Sequence, residues 1–351
     1  MGNKNLKKKR KEEIARNELV EQELKKSDLV QKQQVKLLIL GAGDSGKSTL
    51  LKQMQILYKD GFSKEDKQLY RNVIRTNIIT YIKILLKGVQ MLDLKLHKSN
   101  EKIAEDFLNL PDIIDSFTPN SILASKQLWN DPAMKMSFEK RAQFQLADSA
   151  GYFLDNIDRI ASENYKPSDQ DILNCRISTT GVKVVEFLVN NQPWKVVDVG
   201  GQRSERKKWI HHFDDTTLLI YVVAVNEYDQ KLFEDNTTNR LHESLKLFET
   251  TANNQFLSNK NCVILFNKTD LFKDKIQKVN FNKCFEDFKG SNNYEEVIKF
   301  IKTLFVKAGK NTKRSIFVHY SCATNTNEIR FVFDAVQSTI LENILKEQGF
   351  M

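Results

Sequence analysis

The run Val35-Lys36-Leu37-Leu38-Ile39-Leu40, followed by Gly41-Ala42-Gly43-Asp44-Ser45-Gly46-Lys47-Ser48-Thr49, constrains the fold more than any other feature of the chain. A short apolar run closed by glycine predicts a strand buried on both faces. The nonapeptide fits G-x-x-x-x-G-K-[ST], a phosphate-binding loop. Its glycines let backbone N–H groups turn inward around a phosphate, and the helix that must follow adds its positive N-terminal end. Lys47 is expected to reach the β- and γ-phosphates, and the Ser48 hydroxyl to ligate Mg²⁺. A glycine turn that merely ends a strand is the plain alternative, and the strand–helix context speaks against it. A nucleoside triphosphate with Mg²⁺, bound to an α/β sheet, is the expectation.

Changes in pattern divide the rest. Residues 1–34 are polar, with Ile14, Ala15, Leu19, Val20 and Leu24 in loose helical spacing, which predicts an exposed N-terminal helix. A solvated arm is the alternative. From 61 to 172 strand signals vanish. Val73, Ile74, Ile78, Ile79, Ile82, Leu85, Leu86 and Val89 recur at helical spacing, and further helical patterns cover 101–109, 121–130, 137–148 and 150–160. Pro111, Pro119, Pro132 and Pro167 stand between or at the edges of these patterns. Strand signals return at Val182–Val189 and Trp194–Val199, joined by an Asn190–Pro193 turn, then at Leu218–Val225, Val263–Phe266 and Ile316–Tyr320. Helical patterns at 239–250, 291–308 and 327–346 separate them, and such alternation gives a parallel sheet covered on both faces. The expected organisation is a basic N-terminal helix over 1–34, an α/β domain made of 35–60 and 173–351, and an all-helical insertion over 61–172.

Composition removes several classes. With 351 residues, 40% hydrophobic and 28% charged, the chain can bury a sizeable core. Its four cysteines, Cys175, Cys262, Cys284 and Cys322, form no C-x-x-C pair and its five histidines show no ligand spacing, so neither a disulfide scaffold nor a zinc site is expected. The longest apolar run, Leu218–Val225, has eight residues, too few to span a membrane. The N-terminus lacks the apolar stretch of a secretory signal. Net charge is +9, and residues 4–11 alone carry six positive charges. That block fits an anionic membrane surface; nucleic acid is the rival and is not expected.

Three further segments follow strands or linkers. Asn267-Lys268-Thr269-Asp270 comes directly after an apolar strand, and a carboxylate there can accept both N1–H and the 2-amino group of guanine, which adenine does not offer. Taken alone it is also an ordinary charged turn. Ser321-Cys322-Ala323-Thr324 follows the next strand, and its backbone is expected to contact the guanine oxygen. Asp198-Val199-Gly200-Gly201-Gln202 ends another strand: Asp198 to hold Mg²⁺ through water, Gly201 to bring an N–H near the γ-phosphate, Gln202 to orient the attacking water. In Arg176-Ile177-Ser178-Thr179-Thr180-Gly181, Thr179 could offer a second hydroxyl to Mg²⁺ and Arg176 a cation for the transferring phosphoryl group, though alone the hexapeptide says little, since an arginine in a linker is usually just solvated.

In this order, and with a helical insertion after the first piece, these motifs make the chain resemble the α subunit of heterotrimeric G proteins over nearly its whole length. Residues 198–213 are similar to the family's second switch, and Asp148-Ser149-Ala150-Gly151 with Tyr152–Ile160 to the helical segment that leans over the nucleotide. The resemblance implies a Ras-like GTPase fold interrupted by a helical domain, hydrolysing GTP slowly to GDP, with Arg176 and Gln202 catalytic. It implies a nucleotide site of residues 41–49, Asp148, Ser149, Leu173, Asn174, Cys175, Arg176, Thr179, Asp198, Gly201, Asn267, Lys268, Asp270, Cys322, Ala323 and Thr324. Implied partners are a βγ pair on the N-terminal helix and the 202–213 segment, a seven-helix receptor at Glu347–Met351, a GTPase-activating regulator and an effector of unspecified kind. The implied location is the cytoplasmic face of the plasma membrane, peripheral and partly cytosolic.

Departures from the family pattern are Asp44 for Glu, Ser321 for Thr, Gln348 where one branch has a toxin-modified cysteine, and Leu6 where acylation of Gly2 wants Ser or Thr. Two rivals stay open. A P-loop kinase would need an acceptor pocket, and a hydrolysis-dead scaffold would not need both Arg176 and Gln202.

Overall fold

The computed structural model describes residues 34–113, 117–309 and 314–347. The expected N-terminal helix, the basic block, Gly2 and residues 348–351 lie outside the described residues. Strand β1 (Val35–Leu40) sends Leu37 and Ile39 to one sheet face and Leu38 and Leu40 to the other, and all four are buried. Helix α1 (Lys47–Tyr58) begins at Gly46, whose φ of 103° turns the chain from loop into helix.

Between α1 and the next strand the described residues form only helices and turns: α2 (Lys64–Met91), α3 (Lys98–Leu108), α4 (Pro119–Trp129), α5 (Pro132–Glu139), α6 (Ala150–Leu154), α7 (Ile157–Ala161) and α8 (Asp169–Asn174). Their starts are set by local chemistry. Ser63 with Asp66, Thr118 with Ser121, and Ser168 with Asp171 form capping boxes, and Pro119 and Pro132 sit in the first helical turn.

The sheet is completed by β2 (Val182–Val189), β3 (Gln192–Val199), β4 (Leu218–Ala224), β5 (Asn261–Asn267) and β6 (Ile316–Ser321), interleaved with α9 (Arg240–Ala252), α10 (Thr269–Ile276), α11 (Tyr294–Ala308) and α12 (Thr326–Glu347). Its order is β2-β3-β1-β4-β5-β6, and only β2 runs antiparallel to its neighbour. One core covers the face of Leu38, Leu40, Tyr221 and Phe266 and is closed by Phe248 of α9 and Phe305 of α11. The other covers Leu37, Ile39, Val222 and Leu265 with Met54 of α1 and Phe333 of α12. A third, separate core lies among the helices around Ile78, Ile82, Leu86, Leu128, Met134 and Phe153. Burying each such side chain is worth about 1.5–3 kcal/mol, so the helical block is held by its own interior. Because β1 has β3 on one side and β4 on the other, the C-terminal ends of the parallel strands open a crevice beside the loop after β1.

Three local expectations are corrected. The helical pattern at 137–148 is a helix only to Glu139: Arg141 returns its guanidinium to the Phe138 carbonyl at 3.0 Å, and a short 3-10 turn follows over Arg141–Gln143. The 150–160 helix breaks after Leu154, where Asp155 accepts the Trp129 indole N–H at 2.8 Å and Asn156 bonds the Tyr152 carbonyl at 2.8 Å. The β2–β3 hairpin turns on Asn190 and Asn191 alone, both left-handed at φ 50° and 65°, while Pro193 lies inside β3 just before pairing with β1 begins. Helix α10 and the 3-10 turns over Arg203–His212 have no counterpart in the sequence expectation.

Asp171 anchors the end of the helical block. Fully buried, it accepts two bonds from Arg159 at 2.7 and 2.8 Å, one from Tyr152 at 2.8 Å and the Ser168 N–H at 2.9 Å. Burial works against its charge, but Arg159, Ser168 and Tyr152 outweigh it and hold the carboxyl well below its ordinary 3.8. A carboxyl depressed on folding contributes stability that is present above about pH 4 and lost as pH falls further. Asp171→Asn should therefore cost about 2 kcal/mol at pH 7, less than the roughly 3–5 of a fully buried pair because Arg159 is 43% exposed. Urea unfolding at pH 7 and pH 3 should show the gap to the parent protein narrowing in acid; an equal gap would remove the charge from the account.

Candidate active site

A cavity of about 1000 Å³ opens at the C-terminal ends of the parallel strands. It brings together nearly every site residue expected from the sequence: residues 43–49, Asp148, Ser149, Leu173, Asn174, Cys175, Arg176, Thr179, Gly201, Gln202, Asn267, Lys268, Asp270, Cys322, Ala323 and Thr324. Gly41, Ala42 and Asp198 stand immediately behind its wall. Lys47 Nζ donates to the Gly41 and Ala42 carbonyls at 2.9 and 2.7 Å. Burial pushes the Lys47 ammonium below its ordinary range, opposed by Asp198 and Asp44. Gly201 lies so close that a Cβ there would overlap Lys47 Nζ and stand 2.6 Å from the Ala42 carbonyl, so only glycine fits.

Ser48, Thr179 and Asp198 come from three separate segments and meet. Ser48 Oγ is 2.6 Å from Thr179 Oγ1 and donates to Asp198 Oδ2 at 2.8 Å. Asp198 is fully buried, and its other oxygen, Oδ1, has no hydrogen-bond partner. Burial raises its pKa, against the pull of Lys47 and Ser48. Two hydroxyls beside a buried carboxylate with an unsatisfied oxygen make an oxygen-only donor set, which suits Mg²⁺.

Arg176 faces the phosphate loop. Its Nε and Nη2 donate to the two oxygens of Asp44 at 3.0 and 3.1 Å, a bidentate pair. Burial opposes the Asp44 charge, yet Arg176, Arg240 and Lys268 outweigh it and hold the carboxyl at about 2. The pair therefore persists throughout the neutral range. Gln202 flanks Gly43, whose added Cβ would stand 3.8 Å from Gln202 Cγ. The two loops that carry Thr179 and Gly201 are tied to each other: Gly200 N–H donates to the Gly181 carbonyl at 3.2 Å, and Gly181 N–H to Glu205 at 2.6 Å. Beyond Gly201, Arg206 donates to the Gly201 carbonyl at 3.2 Å and to Glu243 of α9 at 2.6 Å, and the Trp209 indole donates to the Gly200 carbonyl at 2.9 Å.

At the other end, Lys268 adopts a left-handed backbone at φ 62° and pairs with Asp148 at 2.7 Å and Glu227 at 2.8 Å. Burial disfavours its ammonium, but those two carboxylates prevail and raise its pKa. Asp270 is exposed in the first turn of α10. The Ala323 N–H, on the loop expected to meet the guanine oxygen, is donated within the protein to Asn267 Oδ1 at 2.8 Å.

Several residues here escaped the sequence reading. Arg240, buried on α9, reaches Asp44 at 3.6 Å, Glu227 at 3.4 Å and Gln145 at 2.5 Å. Asn226, 3.3 Å from Asp148, and Glu227 stand just past β4 much as Asn267 ends β5 and Lys268 follows it, a positional signal that could have found them. Arg240, Arg206 and Glu243 carry no such local mark.

Comparison with known proteins agrees with this geometry. A family model described as the G-protein alpha subunit matches residues 14–340. The guanine nucleotide-binding protein G(o) subunit alpha of Locusta migratoria is 42% identical over 340 residues, 96% of each chain. That of Lymnaea stagnalis is 40% identical over the same length and coverage. The alpha-17 subunit of Caenorhabditis elegans is 42% identical over 344 residues, again 96% of both. With a family match across most of its length and relatives aligned almost end to end, the chain belongs to the G-protein alpha subunit family.

Proposed function

We propose a division of labour for the GTPase reaction of this chain in which the phosphate loop holds the triphosphate, Ser48 and Thr179 hold Mg²⁺, and Arg176 with Gln202 acts on the transferring phosphoryl group. Family membership supplies the activity itself: a guanine-nucleotide-dependent switch that hydrolyses GTP to GDP as the α subunit of a heterotrimeric G protein coupled to receptors. The meeting of Ser48, Thr179 and Asp198 beneath Gly201 is the observation that carries the assignment. Bound Mg²⁺ would supply positive charge to the β- and γ-phosphates, with Asp198 holding it through water. Lys47 pairs with the same phosphates. Gln202 orders the attacking water, and Arg176 moves from Asp44 to the charge that develops on the phosphoryl oxygens. Loss of the γ-phosphate releases Thr179 and Gly201 together, because their loops share the Gly181 and Glu205 bonds.

The domains are assigned as 35–60 with 173–351 and 61–172, behind an N-terminal helix over 1–34. The βγ pair is assigned to that helix and to the 202–213 segment, where Ile210 is 51% exposed. The receptor is assigned to the C-terminus, and a GTPase-activating regulator and an effector to the switch surface. No helix among the described residues is long and apolar enough to cross a membrane, and the basic block with Gly2 is assigned to peripheral attachment at the cytoplasmic face.

Gln202→Leu should keep GTP binding and slow single-turnover hydrolysis by about tenfold or more. Arg176→Cys should slow it by about 10³-fold, the low end of what an arginine contributes in phosphoryl transfer, this family included. Hydrolysis at the parent rate in either variant would end that residue's role, and phosphate passing to an acceptor rather than water would favour a kinase.

Asp270→Asn should weaken GDP binding and improve binding of xanthosine diphosphate, whose carbonyl at position 2 accepts from the amide. Competition binding with both diphosphates measures this, and unchanged preference for GDP would take Asp270 out of the base site.

Replacing Lys7, Lys8, Lys9, Arg10 and Lys11 by Gln should release the protein from membranes, as should salt near 1 M, where the Debye length is about 3 Å. One myristoyl chain binds only marginally, so this charge is the needed second signal. Retention in the membrane fraction under both conditions would assign attachment to the βγ pair or another anchor.

A further inference from the structure

The segment that delivers Arg176 to the cleft is gripped from two sides. At the end of α8 the Ile172 carbonyl accepts the Cys175 N–H at 3.1 Å, and the Cys175 carbonyl stands past the last helical turn. Lys52 Nζ, from α1, donates to both, at 2.8 and 2.7 Å. Asn77, from α2, donates to the next carbonyl along, that of Arg176 itself, at 3.0 Å. Three carbonyls within five residues are thus held by side chains of two other elements.

Lys52 is an unusual residue for this work. It is buried, 7% exposed, and stands 5.2 Å from the Tyr70 ring. Its hydrogen-bond acceptors are these two neutral carbonyls, and burial depresses its ammonium to about 8. Removing a cation from water without a carboxylate partner is unfavourable, and an apolar side chain of similar volume would fill the space without that cost. Position explains what the cation does. Lys52 lies four residues after Ser48 on α1, so the helical face that presents Ser48 to the phosphates also presents the ammonium to the Arg176 linker.

Building on the catalytic reading of Arg176, we propose that Lys52 and Asn77 are positioning residues for it. They fix the backbone at 172–176, so that the guanidinium is held at the phosphate loop instead of searching from a free linker. Lys52 belongs to the sheet-bearing part of the chain and Asn77 to the helical block, so the linker is held from both parts at once. Displacing a reacting group by about 1 Å can cost about 10²-fold in rate, which sets the scale of the effect.

Single-turnover hydrolysis of preloaded GTP by the full-length chain tests this, with fluorescent GDP binding as the check on folding. Lys52→Met should slow hydrolysis by about 10- to 100-fold and Asn77→Ala by a few-fold, while Lys52→Arg, which restores a donor cation, recovers most of the rate. Combined with Arg176→Cys, neither substitution should slow the reaction further, because the group they position is gone. Slowing that multiplies in the double variants overturns the proposal, as does a parent rate in Lys52→Met. If Lys52→Met binds no nucleotide, Asn77→Ala decides: a parent rate there overturns the proposal equally. A parent rate in Arg176→Cys alone would instead sink the catalytic assignment on which the proposal rests.

Discussion

One buried carboxamide joins the loops on which the site is built. Asn267, at the end of β5, donates to the Ser45 carbonyl at 2.8 Å and accepts the Ala323 N–H at 2.8 Å, while Gln53 of α1 holds the Ala323 carbonyl at 2.9 Å. The phosphate loop, the base-side turn and the loop after β6 are thereby fixed to one another through a residue that is 1% exposed. Unsatisfied, each of these buried groups would cost about 1–3 kcal/mol, so the arrangement resists partial disruption. It also dictates Gly46, since a Cβ there would run into the Asn267 amide. The requirement for glycine in the loop is thus partly a requirement for space beside a side chain more than 200 residues away.

What could be read from the sequence was local. Gly41 to Thr49 declared its strand, loop and helix, and Pro119 and Pro132 marked edges of helical pattern, where the structure starts helices. The parallel strands announced themselves because burial on both faces removes polar residues from runs such as Leu218–Ala224. One helix boundary failed where a tertiary partner beat the local pattern. Asp155 ends a helix because the Trp129 indole needs its oxygen. The site followed the same rule. The motifs at the ends of β1, β3, β5 and β6 were found, whereas Arg240, on the buried side of a helix, became part of the cleft only through charges at Asp44 and Glu227 brought together by folding. Lys52 reads as an ordinary helix lysine until the carbonyls of Ile172 and Cys175 stand in front of it.

The two halves of the cleft are held together differently from the way each is held internally. The helical block and the sheet have separate apolar cores. Across the cleft the contacts are polar: Asn77 with the Arg176 carbonyl, Lys268 with Asp148, Arg240 with Gln145; the Arg176–Asp44 pair closes the same cleft from within the sheet part. Arg176 and Asp44 are 46% and 37% exposed, and a pair in that setting is worth about 0–1 kcal/mol. The chain enters the helical block at Gly61 and, after returning from it, reaches β2 through Gly181; both are left-handed at φ 79° and 78° with open space where a Cβ would stand, so these positions need glycine for backbone freedom and not for room. On the proposed assignment, a nucleotide lying between Ser48 and Ser149 would add its own binding energy to closure, and closure in return would slow its escape. Hydrolysis and release then make opposite demands on the same few contacts. With Arg176 in its proposed role, hydrolysis needs it held at the phosphate loop, and release needs that hold broken. Partly exposed ion pairs permit both, where a continuous apolar interface would permit only the first.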